Sequence, residues 1–271
     1  MSITTVSIVT YHTDRQELRA CLDSLRCDEV KRIYIVDNGG ERRIKNFVAD
    51  IPRVEYIPLR NPGYGAGHNA AIRRALAISA DYHLVLNSDV RFNPDVLPRL
   101  IAVMNARKKI GQLQPRLVYP DGSRQPAVRM LPTPLDVFGR RFLPKRLFAG
   151  RNARYTLQHL DPNVEHNIPY HQGSFMLLRT DALRCVGLFD ERFFMYPEDI
   201  DLTRRIHRYY ETIYYPSETV IHDHRAGSYH NKKLLAIHTW NMIRYFNKWG
   251  WWHDPERRRF NAPLRPGVQL S

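Results

Sequence analysis

The chain has 271 residues, of which 41 are Lys or Arg and 27 are Asp or Glu, so its formal net charge is +14 at pH 7. This length suffices for one large α/β domain or two modest ones, with a core that needs no disulfide or metal. The positive excess predicts an anionic partner: nucleic acid, a phospholipid surface or a phosphorylated substrate.

Three features of the sequence predict a cytosolic protein with free thiols. No apolar run reaches the roughly 18 to 20 residues that a membrane-spanning helix needs. The cysteines, Cys21, Cys27 and Cys185, form no CxxC pair. Met1 begins no segment with the charged, apolar and small-residue pattern of a signal peptide.

The first part of the chain alternates between strand-like and helix-like segments. Strands are predicted at 4–11, 32–38, 54–59 and 82–89, and helices beginning near Asp14, Glu41 and Gly67. Strands and helices that alternate at this spacing predict a parallel sheet covered on both faces. A further helix at 96–106 and a strand at 112–120 continue the pattern. Ligands of such sheets sit at the carboxyl ends of the strands.

After residue 120 the periodicity weakens. Residues 130–155 are rich in Pro, Arg and aromatic residues, 171–179 regain strand character, and 211–224 predict one or two strands that end in histidines. The end of the chain predicts an amphipathic helix, a tryptophan-rich turn and a basic tail.

The segment NPGYGAGHNAA (61–71) contains three closely spaced glycines, Gly63, Gly65 and Gly67. Glycine lets the backbone approach a ligand closely, and the start of a helix favours a phosphate. The segment is not a P-loop, since no Gly-Lys-Ser/Thr follows, and it lacks the position and spacing of a dinucleotide fingerprint. A plain glycine-rich turn is the alternative interpretation.

Two aspartates close otherwise apolar strands. Asp37 ends the second predicted strand and Asp89 the fourth. Either could simply cap the next helix, an explanation that is strong for Asp37. Together, one could hold the base or ribose of a nucleotide while the other binds a divalent cation. In an extended chain His222 and His224 share a face, where they are either surface residues or ligands of a cation such as manganese.

Glu198, Asp199 and Asp201 are clustered at the predicted start of a helix. Acidic residues complement the dipole of a helix N-terminus, which explains one or two of them. The approach through two phenylalanines, Met195, Tyr196 and a proline is not explained by capping.

Six sequence blocks occur in a fixed order over most of residues 5–250: SIVTYH, IVDNGG, NPGYGAGHNAAI, LNSDV, GSFMLLRTDALRCVGLFDERFFMYPEDIDLTRR and VIHDHRAGS. Their order and spacing resemble the family 2 glycosyltransferases, inverting enzymes of the nucleotide-diphospho-sugar transferase (GT-A) fold. The chain looks most like the bacterial rhamnosyltransferase-like branch that builds O-antigen, capsule or other surface polysaccharides.

The resemblance implies an α/β fold with a Rossmann-like, mostly parallel sheet flanked by helices, and a C-terminal helical extension. It implies a GT-A domain at 1–230, divided into a nucleotide-sugar-binding half (1–120) and an acceptor and catalytic half (121–230). Residues 231–271 would form the amphipathic helix and basic tail.

On the side of the sugar donor, the resemblance implies that these residues line the nucleotide-sugar site: Thr10, Tyr11, Asp37, Asn61, Gly67, Asn69, Asn87 and Asp89. Asp37 would contact the base or ribose. Asp89 stands where the family's DXD metal motif ends, but the block is Asn87-Ser88-Asp89, so one carboxylate of that motif is absent. His222 matches the family's metal-associated histidine, with His224 as second choice, and the implied cation is Mn²⁺ or Mg²⁺.

On the acceptor side, Asp199 matches the family's catalytic base. The implied sugar pocket consists of four further residues: Gly173, Ser174, Glu198 and Asp201. Glu198 and Asp201 would either position the acceptor or hold the helix start, with Arg204 and Arg205 balancing their charge across one turn.

The implied partners are a nucleotide-sugar, with dTDP-rhamnose favoured over a UDP-sugar, and a lipid-linked saccharide acceptor. Trp249, Trp251 and Trp252 beside the basic residues 257–259 suit an anionic membrane surface, which would place the protein on the inner face of the cytoplasmic membrane. Alternatively, these residues pack on the domain as ordinary structure.

Two other function classes share some of these features. A nucleic-acid-binding protein would account for the charge and aromatics, but it leaves Asp37, Asp89 and Asp199 unexplained, and we expect no nucleic-acid partner. A sugar-phosphate nucleotidyltransferase shares the sheet architecture, but it should carry a Gly-rich, Lys/Arg-bearing signature after the first strand, which TYHTDRQELRA lacks.

Overall fold

The computed structural model describes residues 2–139, 145–223 and 232–267. Its strands are β1 (Thr4–Thr10), β2 (Val30–Asp37), β3 (Val54–Pro58), β4 (Tyr82–Leu86), β5 (Val90–Arg91), β6 (Ile110–Val118), β7 (Val128–Arg129), β8 (His166–Asn167), β9 (Tyr170–His171), β10 (Phe175–Arg179) and β11 (Glu211–His222).

The α-helices of the described ranges are α1 (Arg15–Asp23), α2 (Arg42–Val48), α3 (Tyr64–Ala77), α4 (Val96–Ala106), α5 (Lys145–Tyr155), α6 (Thr180–Val186), α7 (Glu198–His207), α8 (Lys232–Trp249) and α9 (Pro255–Asn261). A π-helical turn spans Leu135–Gly139.

A nine-stranded sheet forms the centre of the molecule, in the order β3-β2-β1-β4-β10-β6-β11-β5, with β8 paired to β11. Strands β1 to β4 are parallel to one another, and β6 is parallel to β11. Strand β10 lies antiparallel between β4 and β6, so these two groups point the same way. The sheet is therefore mostly parallel, as predicted, and its register sets Thr10 beside Asp37 at the carboxyl edge.

The four opening strands and the helix at 96–106 are confirmed. Helix α3 begins at Tyr64, so the predicted start near Gly67 was wrong. The physical reason is close packing. A Cβ at Gly63, where φ is +109°, would lie 2.5 Å from the Phe194 carbonyl oxygen. A Cβ at Gly65 or Gly67 would lie 2.9 Å from a neighbouring side chain. The glycines therefore let the helix start against the protein itself.

The C-terminal extension shares a hydrophobic core with the middle of the chain. Met242, Tyr245 and Phe246 of α8 pack in one cluster with Met130 and Leu131. None of the helices in the described ranges combines the length and the apolar composition of a membrane span. The predicted division of the chain at residues 120 and 230 stays a prediction.

Arg204 occupies a different place from the one predicted. Its guanidinium, 1 % exposed, pairs with Asp254 at 2.6 Å and with Glu256 at 2.8 Å, instead of balancing the acidic cluster. The prediction for Arg204 was wrong because a carboxylate from a distant part of the chain reaches it. Arg205 does pair with Asp201, at 2.9 Å.

Candidate active site

Asp37 lies at the end of β2 and is completely buried. Its carboxylate accepts hydrogen bonds from the backbone N–H groups of Gly39 (2.9 Å) and Glu41 (2.6 Å), and from the Tyr56 hydroxyl (2.6 Å). Thr10 donates a longer bond of 3.4 Å. These contacts order the turn that follows β2, and the predicted contact of Asp37 with a base or ribose stays a prediction.

Four other residues implied for the sugar-donor site lie in the first two turns of α3 or in the loops that follow β1 and β3: Tyr11, Asn61, Gly67 and Asn69. Tyr11 is 56 % exposed, and Asn61 adopts a left-handed backbone conformation with φ of +43°. Asn69 is buried, and its Nδ2 donates to Phe189 O and to Glu191 Oε1, both over 2.9 Å. Asn69 thus ties α3 to the loop that leads towards α7.

Asp89 and His222 are brought together at the edge of the sheet. His222 Nε2 lies 3.5 Å from Asp89 Oδ1, which is buried and accepts no hydrogen bond. Gln125 Nε2 donates to the His222 carbonyl oxygen over 2.6 Å, so Gln125 Oε1 faces His222 Nδ1 at 2.9 Å. That network assigns the proton to Nδ1 and leaves the Nε2 lone pair directed at a carboxylate, which suits a shared cation.

An imidazole nitrogen and a carboxylate oxygen are ligands that Mn²⁺ accepts. Within the described residues, no group of three or more His, Cys, Asp or Glu side chains could hold a metal ion. Asp89 and His222 would supply two protein ligands of such a cation. The second-choice ligand, His224, lies outside the described residues.

Tyr64 joins the end of β4 to the segment that precedes β10. Its hydroxyl lies 2.8 Å from Asn87 Oδ1 and 2.8 Å from the Gly173 carbonyl oxygen. The Asn87 N–H donates to the Ser174 carbonyl oxygen over 2.9 Å. Burial, then Glu198, Asp199 and Asp89, hold the pKa of Tyr64 well above its usual range. The predicted metal ligand Asp89 and the acidic cluster therefore both raise the pKa of the same group, the Tyr64 hydroxyl.

Asp199 is the second residue of α7 and is 8 % exposed. Its Oδ2 accepts the Gly173 N–H over 2.9 Å, and its Oδ1 accepts the Ile200 N–H over 2.7 Å. Burial raises the pKa of Asp199 to about 7, although these hydrogen bonds and the charge of Arg129 lower it. A carboxylate with this pKa exchanges its proton near neutral pH, as a general base must.

Glu198 precedes Asp199 and is 3 % exposed. Its Oε2 is buried and accepts no hydrogen bond. Burial and the charge of Asp199 hold the pKa of Glu198 well above its usual range. Because two neighbouring negative charges repel each other, ionisation of one of these carboxyls opposes ionisation of the other.

Asp201 is fully buried on the side of α7 that faces α8. Its carboxylate accepts from Arg205 Nε (2.9 Å), Lys248 Nζ (2.6 Å) and Trp249 Nε1 (2.8 Å). Of the two roles predicted for Asp201, these contacts support holding the helix, because its oxygens are already occupied by the protein.

Sequence reasoning missed Tyr64, Gln125 and Arg129. Tyr64 could have been identified from the sequence. An aromatic residue between two glycines of the predicted loop adds no flexibility, so its presence indicates a contact. Arg129 lies on β7, donates to the Tyr170 hydroxyl over 3.0 Å and acts on Asp199. Gln125 and Arg129 stand in a stretch without periodicity, so no local pattern indicates either residue.

The model of the family described as glycosyl transferase family 2 matches residues 5–187. The chain belongs to this family. The glycosyltransferase is 30 % identical over 260 residues to the N-acetylglucosaminyl-diphospho-decaprenol L-rhamnosyltransferase of Mycobacterium tuberculosis H37Rv, covering 89 % of this chain and 83 % of the relative. It is 23 % identical over 251 residues to the rhamnosyltransferase WbbL of Escherichia coli K12, covering 88 % of this chain and 90 % of the relative.

Solved structures of glycosyltransferases share its fold. GalNAc-T7 with UDP, GalNAc and Mn²⁺ superposes with a TM-score of 0.60 at 13 % identity, over 82 % of this chain and 43 % of that chain. The mannosyltransferase PcManGT of Pyrobaculum calidifontis, with GDP-Man and Mn²⁺, superposes with a TM-score of 0.58 at 15 % identity. The superposition covers 96 % of this chain and 69 % of that chain. The predicted GT-A fold and the rhamnosyltransferase-like family 2 assignment are confirmed.

Proposed function

We propose that this glycosyltransferase transfers a sugar, with inversion at the anomeric carbon, from a nucleotide-diphospho-sugar to a hydroxyl of a growing, lipid-linked surface polysaccharide. The proposed sugar donor is dTDP-rhamnose, with a UDP-sugar as the alternative. A buried Asp199 carboxylate, ionising near pH 7 and held by Gly173, carries the proposal. The rhamnosyl names of the relatives support the choice of sugar.

In the proposed reaction, Asp199 takes the proton of the acceptor hydroxyl as that oxygen attacks the anomeric carbon. The new C–O bond forms while the bond to the departing diphosphate breaks on the opposite face, which inverts the configuration. The protein holds Asp199 with backbone N–H groups, so its orientation costs little when the substrates bind. Gly173 and Ser174 form one wall of the proposed sugar pocket, and protonated Glu198 lies beside the base.

Asp89 and His222 are the proposed ligands of a divalent cation, Mn²⁺ or Mg²⁺. When bound, such a cation stabilises the negative charge that develops on the leaving diphosphate. Gln125 supports the assignment because its side-chain amide contacts both the carbonyl oxygen and the Nδ1 of His222, and so orients the imidazole ring. The structures with Mn²⁺ among the fold's relatives support the choice of metal.

The proposed acceptor is an N-acetylglucosaminyl-diphospho-polyprenol, because the mycobacterial relative is named for such a substrate. A lipid-linked acceptor requires the enzyme to work at a bilayer, so we place it on the inner face of the cytoplasmic membrane. The supporting side chains are Trp240 and Trp252, which are 57 % and 71 % exposed. The Arg244 guanidinium lies 5.4 Å from the centre of the Trp240 ring.

This surface differs from the one predicted from the sequence. The Trp249 indole bonds Asp201, the Trp251 ring stacks with Phe138, and the Arg257 guanidinium donates to the Pro132 carbonyl oxygen. These residues pack on the domain, the alternative stated above. A double Trp240→Ser, Trp252→Ser variant should sediment less with vesicles containing phosphatidylglycerol. The double variant Tyr209→Ser, Ile78→Ser, which removes two other exposed hydrophobic side chains, should not. Unchanged sedimentation of the first variant argues against membrane docking here.

The catalytic assignment is tested by Asp199→Asn, which keeps the shape of the side chain and removes the base. We expect turnover of dTDP-rhamnose with the N-acetylglucosaminyl-diphospho-polyprenol acceptor to fall by about 10²-fold or more. The stabilisation of the enzyme by dTDP in thermal unfolding should persist. Asp181→Asn, an exposed acid in the first turn of α6, is the matched control. Wild-type turnover in Asp199→Asn would rule out the base.

A further inference from the structure

The segment 193–197 leads directly into the helix that carries Asp199. On one side it touches the glycine-rich turn, where the Tyr64 N–H donates to the Phe194 carbonyl oxygen over 2.9 Å. The fit is close, since a Cβ at Gly63 would lie 2.5 Å from that oxygen. The approach to the base and the start of α3 are therefore in backbone contact.

Tyr196 adopts a backbone conformation that bulky residues avoid. Its φ is +94°, in a region that costs a residue with a side chain free energy. Such conformations persist where the surrounding structure enforces them, and they concentrate at functional sites. Contacts with the rest of the protein must therefore hold the segment 193–197 in this conformation.

Helix α8 also holds this segment. Asn241 is 2 % exposed, and its Nδ2 donates to the Met195 carbonyl oxygen over 3.0 Å. The His238 ring lies 5.0 Å from the Tyr196 ring in an edge-on arrangement. Arg244 Nη1 donates to the Arg192 carbonyl oxygen over 2.7 Å.

The same helix also binds the residue beyond the base. Lys248 and Trp249 of α8 both bond the Asp201 carboxylate. Asn241 and Lys248 are two helical turns apart and lie on one face of α8. This face therefore contacts the chain both before and after Asp199, at Met195 and at Asp201.

We propose that Asn241 is a positioning residue, which holds the segment 193–197 between α8 and the glycine-rich turn so that Asp199 faces the acceptor hydroxyl. It acts through the Met195 carbonyl oxygen and touches no substrate. The inference rests on the proposed role of Asp199 as base. It also explains why aromatic residues precede α7, because the segment 193–197 packs between α3 and α8.

Two variants of Asn241 test the proposal. Asn241→Ala removes the hydrogen bond, and Asn241→Asp keeps the shape of the side chain but, when ionised, cannot donate. The matched control is Asn261→Ala, because the Asn261 amide bonds both backbone groups of Leu131 at 2.9 Å and so anchors the same C-terminal extension elsewhere.

Amide hydrogen exchange is the readout that needs no substrate. In Asn241→Ala and Asn241→Asp, the amides of residues 193–201 should exchange about ten-fold faster or more than in the wild type, because local opening becomes easier. In Asn261→Ala their exchange should match the wild type. Equal exchange rates over 193–201 in all four proteins would overturn the proposal.

Kinetics provide the second readout, measured well below each melting temperature. Because a small displacement of a base is costly, kcat of both Asn241 variants should fall about ten- to one hundred-fold, with KM for dTDP-rhamnose within about two-fold. Asn261→Ala should retain kcat at a comparable loss of melting temperature. A kcat within two-fold of wild type in the Asn241 variants, or an equal loss in the control, would contradict the proposal.

Asp199→Asn in the same assay separates the two proposals. Full activity of Asp199→Asn would show that Asp199 is not the base. The positioning role of Asn241, which rests on that assignment, would then be wrong as well. An inactive Asp199→Asn beside a fully active Asn241→Ala would overturn the positioning role alone.

Discussion

Gly173 donates its backbone N–H to Asp199 Oδ2 over 2.9 Å, and its carbonyl oxygen lies 2.8 Å from the Tyr64 hydroxyl. One residue thus connects the carboxylate on α7 with the hydroxyl on α3. A Cβ at position 173 would lie 3.3 Å from the Asp199 Cβ, closer than side chains normally approach. A side chain at this position would therefore require Asp199 to shift by a few tenths of an ångström.

The first prediction concerns the pH dependence of turnover. Asp199 must be ionised to act as base, and its pKa is about 7, so kcat should rise with pH and level off above that value. Glu198→Gln mimics the protonated carboxyl that we assign to Glu198, so it should leave this inflection in place. The pH profiles of kcat for the two proteins check the assignment. A downward shift of a full pH unit in Glu198→Gln would show that Glu198 is ionised.

Arg129 provides a second test at the same carboxyl. Its positive charge lowers the pKa of Asp199, so Arg129→Met should raise that pKa and move the inflection upwards, by about one pH unit. Arg129→Lys keeps the charge and should move it less. If the Met and Lys variants have the same profile as the wild type, Arg129 does not act on the base.

The third prediction concerns the cation. EDTA should suppress turnover, and Mn²⁺ or Mg²⁺ should restore it. Gln125→Leu removes the group that orients His222, so the Mn²⁺ concentration for half-maximal activity should rise by about 10- to 100-fold. Gln158→Leu, at an exposed glutamine, is the control. Undiminished turnover in EDTA would contradict a metal requirement.

The fourth prediction concerns the stability of the C-terminal extension. Arg204 and Asp254 form a buried ion pair, with side chains 1 % and 2 % exposed. Arg204→Met leaves the Asp254 charge buried without this partner, which should lower the free energy of unfolding by about 3–5 kcal/mol. Arg99→Met, at a more exposed pair with Glu218, should cost less than about 1 kcal/mol. Urea unfolding measures both, and equal losses would contradict the difference.

The fifth prediction concerns stability in acid. His83 is completely buried beside Thr5 and Ser7, and burial lowers its pKa to about 3. In the unfolded chain, His83 takes up a proton as the pH falls below about 6.5, whereas in the folded protein it stays neutral. The neutral form of His83 therefore stabilises the folded state above that pH. This contribution is lost as the pH falls towards 3. Between pH 7 and pH 5 the loss is about 2 kcal/mol.

His83→Gln removes this titration, while the pKa of His68, which His83 also lowers, stays below its usual range because His68 is buried. The wild type should lose about 2 kcal/mol more than His83→Gln between these pH values, measured by urea unfolding at each pH. His12→Gln, at an exposed histidine, should follow the wild type. Parallel pH dependences of wild type and His83→Gln would show that His83 titrates normally.

Much of the fold could be predicted because the signals are local. The short apolar runs of β1 and β4, and the helical spacing of α4, depend on neighbours a few positions away. The acidic cluster was also placed correctly, at the start of α7. The start of α3 was missed because Gly65 and Gly67 read as loop residues, whereas each makes room for a side chain distant in sequence.

The basic tail shows where such reasoning ends. Trp249 and Arg257 look like surface residues in sequence, yet one bonds Asp201 and the other donates to the backbone of Pro132. Local sequence gives the chemical type of a side chain. It does not give the partner that removes that side chain from water.

The sequence by itself determined the family, the order of most strands and helices up to residue 120, and the residue types available for catalysis, since these follow from short-range patterns and from blocks in a fixed order. The tertiary structure alone decided which charges are buried and what they touch. Arg204 meets Asp254 across 50 positions of sequence, and Asp199 meets Gly173 across 26. Burial and pairing set the pKa and the orientation of a side chain, and both arise from contacts that the local sequence does not contain.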